Sequence, residues 1–190
     1  MVTTWNLIFK KILMNFNQLV FEKVVPLFSE QHFQVSELYE NFFQFKSVLV
    51  EVTISYNELD KTCLFEVGKV GGFLYPINDN ALEQVFGSEI KFNQQTKEGF
   101  LNSVVIFLKQ EGIFILNGEL EKLEELKSFI EKESEVYTSK VIKQYNLAAL
   151  DKAWNNGEYE AFIKLFNQTN KNEFPQSYLI KYKIANQKIK

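Results

Sequence analysis

The sequence predicts an α+β fold: an antiparallel three- or four-stranded sheet packed with helices, plus a helical C-terminal part. Three observations predict it. Alternation with a period of two runs from Ser47 to Gly68, apolar stripes at helical spacing flank that stretch on both sides, and beyond Ser134 only helical patterns with polar breaks remain. With 190 residues, 46% hydrophobic and 24% charged, the chain has an ordinary globular composition, which excludes collagen, coiled coil, disulfide scaffold and disorder. A chain of this length buries about 70% of the surface that its unfolded form exposes, so one core with a small appendage suffices.

The first helix is predicted from Asn15, where Phe16, Val20, Val24 and Leu27 recur at helical spacing and Leu19 and Phe28 widen the stripe. Pro26 lacks an N–H and crowds the carbonyl four residues back, so the helix is expected to kink or loosen near Glu22 and to end by His32. Asn41 to Lys46 supplies a candidate strand. In Ser47 to Tyr56, Val48, Val50, Val52, Ile54 and Tyr56 alternate with Leu49, Glu51, Thr53 and Ser55, as in a half-buried strand. Asn57 to Asp60 turns the chain, and Lys61 to Gly68 returns it. Gly71-Gly72 then leads into Phe73 to Tyr75, stopped by Pro76.

A short helix is expected over Asn80 to Phe86, and a longer one from the candidate cap Thr96 to near Gly112. Ile113 to Leu116 is apolar without a readable period. Asn117-Gly118 opens a helix whose Leu120, Leu123, Leu126 and Ile130 face inward, and the core domain closes near Glu133. Separate helices are expected over Val136 to Tyr145, Leu147 to Asn155, Glu158 to Asn167 and Gln176 to Lys188. The domains are therefore 1–13 as an N-terminal extension, with Met14 as an alternative start, 14–133 as the core and 134–190 as a helical appendage. LDKAWNNGEYEAFIKLF, Leu150 to Phe166, resembles one tetratricopeptide-type hairpin. A solenoid needs at least three such units, and without a second copy the segment reads as a helical cap on the core.

The N-terminus lacks the signal-peptide order, because Lys10 and Lys11 follow the apolar stretch instead of preceding it. The uncharged run Ile12 to Phe21 is far shorter than the roughly 20 residues of a membrane span. One cysteine allows no internal disulfide. A non-membrane, cytoplasmic protein is expected, and the absence of arginine beside 19 phenylalanines and 3 prolines suggests a low-GC bacterial genome.

Residue types for catalysis are scarce. A cysteine nucleophile needs a base, and the sole histidine, His32, lies far along the chain from the sole cysteine, Cys63. A zinc site needs about four ligands, usually Cys and His. Both residues are read as structural, Cys63 as a small buried hydrophobe with a raised pKa. No catalytic, cofactor-binding or metal-binding residue is assigned, and no cofactor. Gly68 to Gly72 is a turn and matches no phosphate-binding motif. Of the 24 acids three are aspartates, and the glutamates cluster on helix exteriors. A hydrolase or transferase working through glutamates alone is the first alternative.

The second alternative is a weak nucleic-acid-binding accessory protein, through Lys181, Lys183, Lys188 and Lys190 interleaved with Tyr178 and Tyr182. Arginine, the residue of phosphate forks and base readout, is missing, and the net charge is -3, so nucleic acid is an unlikely partner. Residues 118–135 hold seven glutamates against three lysines, and the basic last helix is expected to complement them. The outward glutamates Glu119, Glu121, Glu124, Glu125, Glu131 and Glu135 are the candidate partner-binding residues. Such a face speeds encounter with a basic protein.

The order of pieces carries a resemblance: an N-terminal amphipathic helix, the hairpin NFFQFKSVLVEVTISYNELDKTCLFEVG, the segment GIFILNGELEKLEELKSFIEK and the closing SYLIKYKIA. Over most of residues 14–185 this resembles uncharacterised small bacterial α/β immunity-type proteins of polymorphic toxin systems. The resemblance implies a non-enzymatic cytoplasmic protein that binds and blocks one partner; the acidic helix face points to a basic toxin as that partner. It carries over no functional residue, and the helices after Glu133 depart from the smallest members.

Overall fold

The computed structural model describes residues 15–93, 96–170 and 174–189, in two compact units, Met1–Glu131 and Lys132–Lys190. The expected extension over residues 1–13 lies outside the described residues. Helix α1 (Phe16–Lys23) starts at a reciprocal cap: the Asn15 side chain accepts from the Gln18 N–H at 2.9 Å, and the Gln18 side chain accepts from the Asn15 N–H at 3.3 Å. The chain breaks at Val24 and resumes as α2 (Val25–Glu30), with Pro26 in its first turn, so the proline splits the predicted helix. His32 follows at φ 62° and is exposed.

Five strands form an antiparallel meander in sequence order: β1 (Gln34–Tyr39), β2 (Phe42–Lys46), β3 (Val50–Asn57), β4 (Thr62–Lys69) and β5 (Leu74–Pro76). The sheet thus gains β1, which no alternation announced. Strand β3 begins three residues later than expected. Ser47 turns the chain instead, its hydroxyl accepting from the Val50 N–H at 3.0 Å, and Val48 is left 90% exposed outside the ladder.

One sheet face is the core. Phe45, Val52 and Val67 stand in one row across β2, β3 and β4, and Phe43, Ile54 and Phe65 in the next; all are buried. Phe28 of α2 stacks on Phe45 with ring centroids 4.4 Å apart, and Phe16 of α1 stacks on Tyr56 at 5.9 Å. Helices α3 (Asp79–Phe86), α4 (Lys97–Lys109) and α5 (Ile113–Asn117) complete the cover. Phe107 of α4 meets Phe65, Phe86 and Phe92 at 5.4–6.3 Å. Each such ring contributes about 1.5–3 kcal/mol by leaving water. Thr96 caps α4, its hydroxyl accepting from the Gly99 N–H at 3.0 Å. Gly68 is required where β4 passes β5, because a Cβ there would stand 2.2 Å from the Phe73 carbonyl oxygen.

Helix α6 (Leu120–Asn155) is continuous over 36 residues, where three separate helices were predicted. Its first turns bury Leu123 and Leu126 in the first unit; its last bury Leu150 and Ala153 in the second. In the second unit, Gly157 at φ 73° turns the chain into α7 (Tyr159–Gln168), and α8 (Gln176–Lys188) follows Pro175. Leu150, Phe162, Phe166, Tyr178 and Ala185 form this unit's own core.

Candidate functional site

The six predicted glutamates fall into place by helix geometry. Successive residues turn by 100°, so Glu121, Glu124, Glu125, Glu131 and Glu135 of α6 point away from the side that buries Leu123 and Leu126. Glu119 precedes the helix, and its carboxylate accepts from the Asn117 side-chain amide at 2.9 Å. All six are exposed. The first five belong to the first unit and Glu135 to the second, one turn beyond Glu131 on the same helix.

Two of them are already matched by cations. Lys69, at the end of β4, reaches Glu124 at 2.6 Å, and its hydrogen bond holds that carboxyl below the usual carboxylate range; Lys122 pairs with Glu125 within the helix. Glu121, Glu131 and Glu135 have no cation partner among the described residues. What the first unit's five glutamates offer chemically is an exposed, solvated negative field.

Sequence reasoning missed a second polar constellation, on the sheet face opposite the core. Gln44, Glu51 and Thr53 are 8%, 8% and 3% exposed, although the alternation marked Glu51 and Thr53 as outward. The Ser36 hydroxyl donates to Gln44 Oε1 at 2.8 Å, and Gln44 Nε2 donates to Glu51 Oε1 at 2.6 Å. Lys46 approaches Glu51 Oε2 at 3.3 Å, and the Thr53 hydroxyl donates to Glu66 at 2.9 Å. Both Glu51 oxygens are therefore engaged, which fits a carboxylate that positions its neighbours. The signal lay in the pattern itself: residues two apart on a strand share a face, and here that face is polar.

Cys63 lies half-buried on β4, opposite Tyr56, in an open pocket of about 400 Å³ whose lining includes Phe65, Ile77, Asp79, Phe92 and Phe100. Asp79 Oδ1 accepts from the Phe92 and Asn93 N–H groups at 2.5 and 3.2 Å, tying down the segment after α3. Burial pushes the Cys63 thiol up to about 11, against a smaller opposite effect of Lys97. Among the described residues no three of His, Cys, Asp and Glu gather as a metal site, and no helix is long and apolar enough to cross a membrane.

The basic C-terminal residues differ in their surroundings. Lys181 donates to Asp151 at 2.8 Å and lies 4.8 Å from the Tyr178 ring, so its partner is in its own unit and not among residues 118–135. Lys183 and Lys188 are exposed, and Lys190 lies outside the described residues. Fold and surface together define an α+β chain with an open five-stranded meander and an acidic helix exterior. No family model, no curated protein and no solved structure matches it.

Proposed function

We propose that this protein acts by binding another protein, as a non-enzymatic, immunity-like inhibitor of a basic bacterial toxin. The observation that carries the reading is the acidic exterior of α6 in the first unit, where Glu121 and Glu131 stand exposed without cation partners among the described residues. Side chains that neither pack nor pair remain available to a positive surface, and like charges one helical turn apart repel each other mildly. A field of this kind raises association rates by about 10 to 1,000-fold and loses that gain in salt.

The test is co-expression with the toxic product of an adjacent gene, scored by survival and co-purification. The purified pair should associate more slowly when Glu121, Glu131 and Glu135 are changed to lysine, with a weaker salt dependence. A toxic neighbour that the protein neither binds nor neutralises overturns the reading. Turnover of a substrate abolished by Glu51→Gln or Glu66→Gln would establish the glutamate-based alternative in its place.

A further inference from the structure

We propose that β1 is a self-association surface: two copies pair antiparallel through Gln34–Tyr39, about a two-fold axis perpendicular to the sheet, and so join their meanders into one continuous sheet. Among the described residues strand β1 pairs with β2 on one side only, and all six of its residues are exposed. The opposite edge, β5, is three residues long and ends in a proline, which cannot extend a ladder. Free strand edges present unpaired backbone donors and acceptors, and another strand is what satisfies them.

The register of β1 accepts a second copy of itself. Residues opposite one another in a ladder share a face. Val35 is opposite Phe45 and Leu38 is opposite Phe43, so both lie on the helix-covered side; Gln34, Glu37 and Tyr39, opposite Lys46, Gln44 and Phe42, lie on the other. In a regular strand residues three apart point to opposite faces. Here the irregularity between Val35 and Glu37 inserts Ser36, whose hydroxyl reaches Gln44, and this returns Leu38 to the face of Val35.

A two-fold axis between Ser36 and Glu37 then sets Val35 against Leu38 of the copy, Gln34 against Tyr39, and Ser36 against Glu37. Every pair matches in face. The apolar residues, 40% and 43% exposed, meet each other, and the one charge on the strand, Glu37, is directly opposite a hydroxyl with the copy's Glu37 diagonally beside it. Without the bulge this register would oppose core-side to outer-side residues. Phe21, exposed and 5.1 Å edge-on to Phe43, widens the apolar strip on the same side. A contact of this extent falls below about 1,200 Å², the range of reversible interfaces, so a concentration-dependent dimer is expected.

Sedimentation equilibrium of the full chain should show a monomer–dimer equilibrium that Leu38→Lys weakens about tenfold or more, through two lost apolar pairs. Cross-linking fixes the register independently of that variant's folding. In a C63S background, V35C/L38C should oxidise to a covalent dimer, whereas V35C alone and L38C alone should not. A chain that is monomeric at all concentrations and yields no cross-link overturns the proposal. So does a dimer that requires residues 1–14, or one cross-linked as readily by V35C alone.

Discussion

The Cys63 thiol departs from its ordinary behaviour through desolvation. Beside Phe65 and opposite Tyr56 it loses solvation, which disfavours the thiolate and pushes its pKa from 9.0 up to about 11. The neutral form suits the fold, so its stabilising contribution is full below 9.0 and is lost as pH rises through about 11. The folded protein should hold about a hundredfold less thiolate at pH 8 than the unfolded chain, and iodoacetamide should label it correspondingly slowly. Equal labelling rates with and without urea would refute this. The direction of the shift was legible in the sequence because alternation placed Cys63 on the apolar side of the strand, although the thiol is half-buried and not fully buried as expected. The partners of the glutamates were not legible: Lys69 reaches Glu124 only through the packing of β4 on α6. Nor was the engagement of Glu51, which depends on Lys46 and Gln44 standing beside it across the ladder.

Elements were legible where local chemistry decides them. Asn15 and Thr96 cap helices as their side chains dictate, and α8 spans the predicted Gln176–Lys188 because Pro175 fixes its start. Strand β1 was hidden by its own bulge, since Val35 and Leu38 share a face at a spacing that reads as helical. Helix α6 was divided in error at Ser134 and Asn146. No glycine or proline lies between Gly118 and Gly157, and exposed polar residues do not end a helix. In the second unit the elements are tied by one carboxylate: Asp151 of α6 accepts from Lys181 and from the Tyr178 hydroxyl of α8, at 2.8 and 2.6 Å. These bonds, Lys181 first, hold the Asp151 carboxyl below its usual 3.8. Its contribution is therefore present above that value and is lost as pH falls through the lowered one. Asp151→Asn should cost about 1 kcal/mol at neutral pH and remove the acid dependence of amide protection in α8. Hydrogen exchange at pH 7 and in acid checks it, and unchanged protection at both would count against the tie.

At the scale of the whole molecule, the chain builds two cores whose buried residues do not overlap. One gathers phenylalanines from α1, α2, the sheet and α4; the other gathers Leu150, Phe162, Phe166, Tyr178 and Ala185. The sequence separated the two by a change of pattern after Ser134, since alternation has no place in the second unit. It did not show that α6 runs unbroken from Leu120 to Asn155, because the polar residues around Ser134 and Asn146 read as breaks. A core substitution acts first on the residues that pack against it, and effects at sites without shared partners add independently. Phe107, fully buried against Phe65, Phe86 and Phe92, and Phe166, fully buried against Phe162, Phe174 and Tyr182, sample the two cores separately. Truncating either ring leaves a cavity at a cost of about 3–5 kcal/mol. Phe107→Ala should lower amide protection in β3, β4 and α4 while sparing α7 and α8, and Phe166→Ala should do the reverse. Segment-resolved hydrogen exchange of both variants decides the matter: if either one lowers protection in both sets of elements alike, the two cores unfold as a single cooperative unit and the division fails.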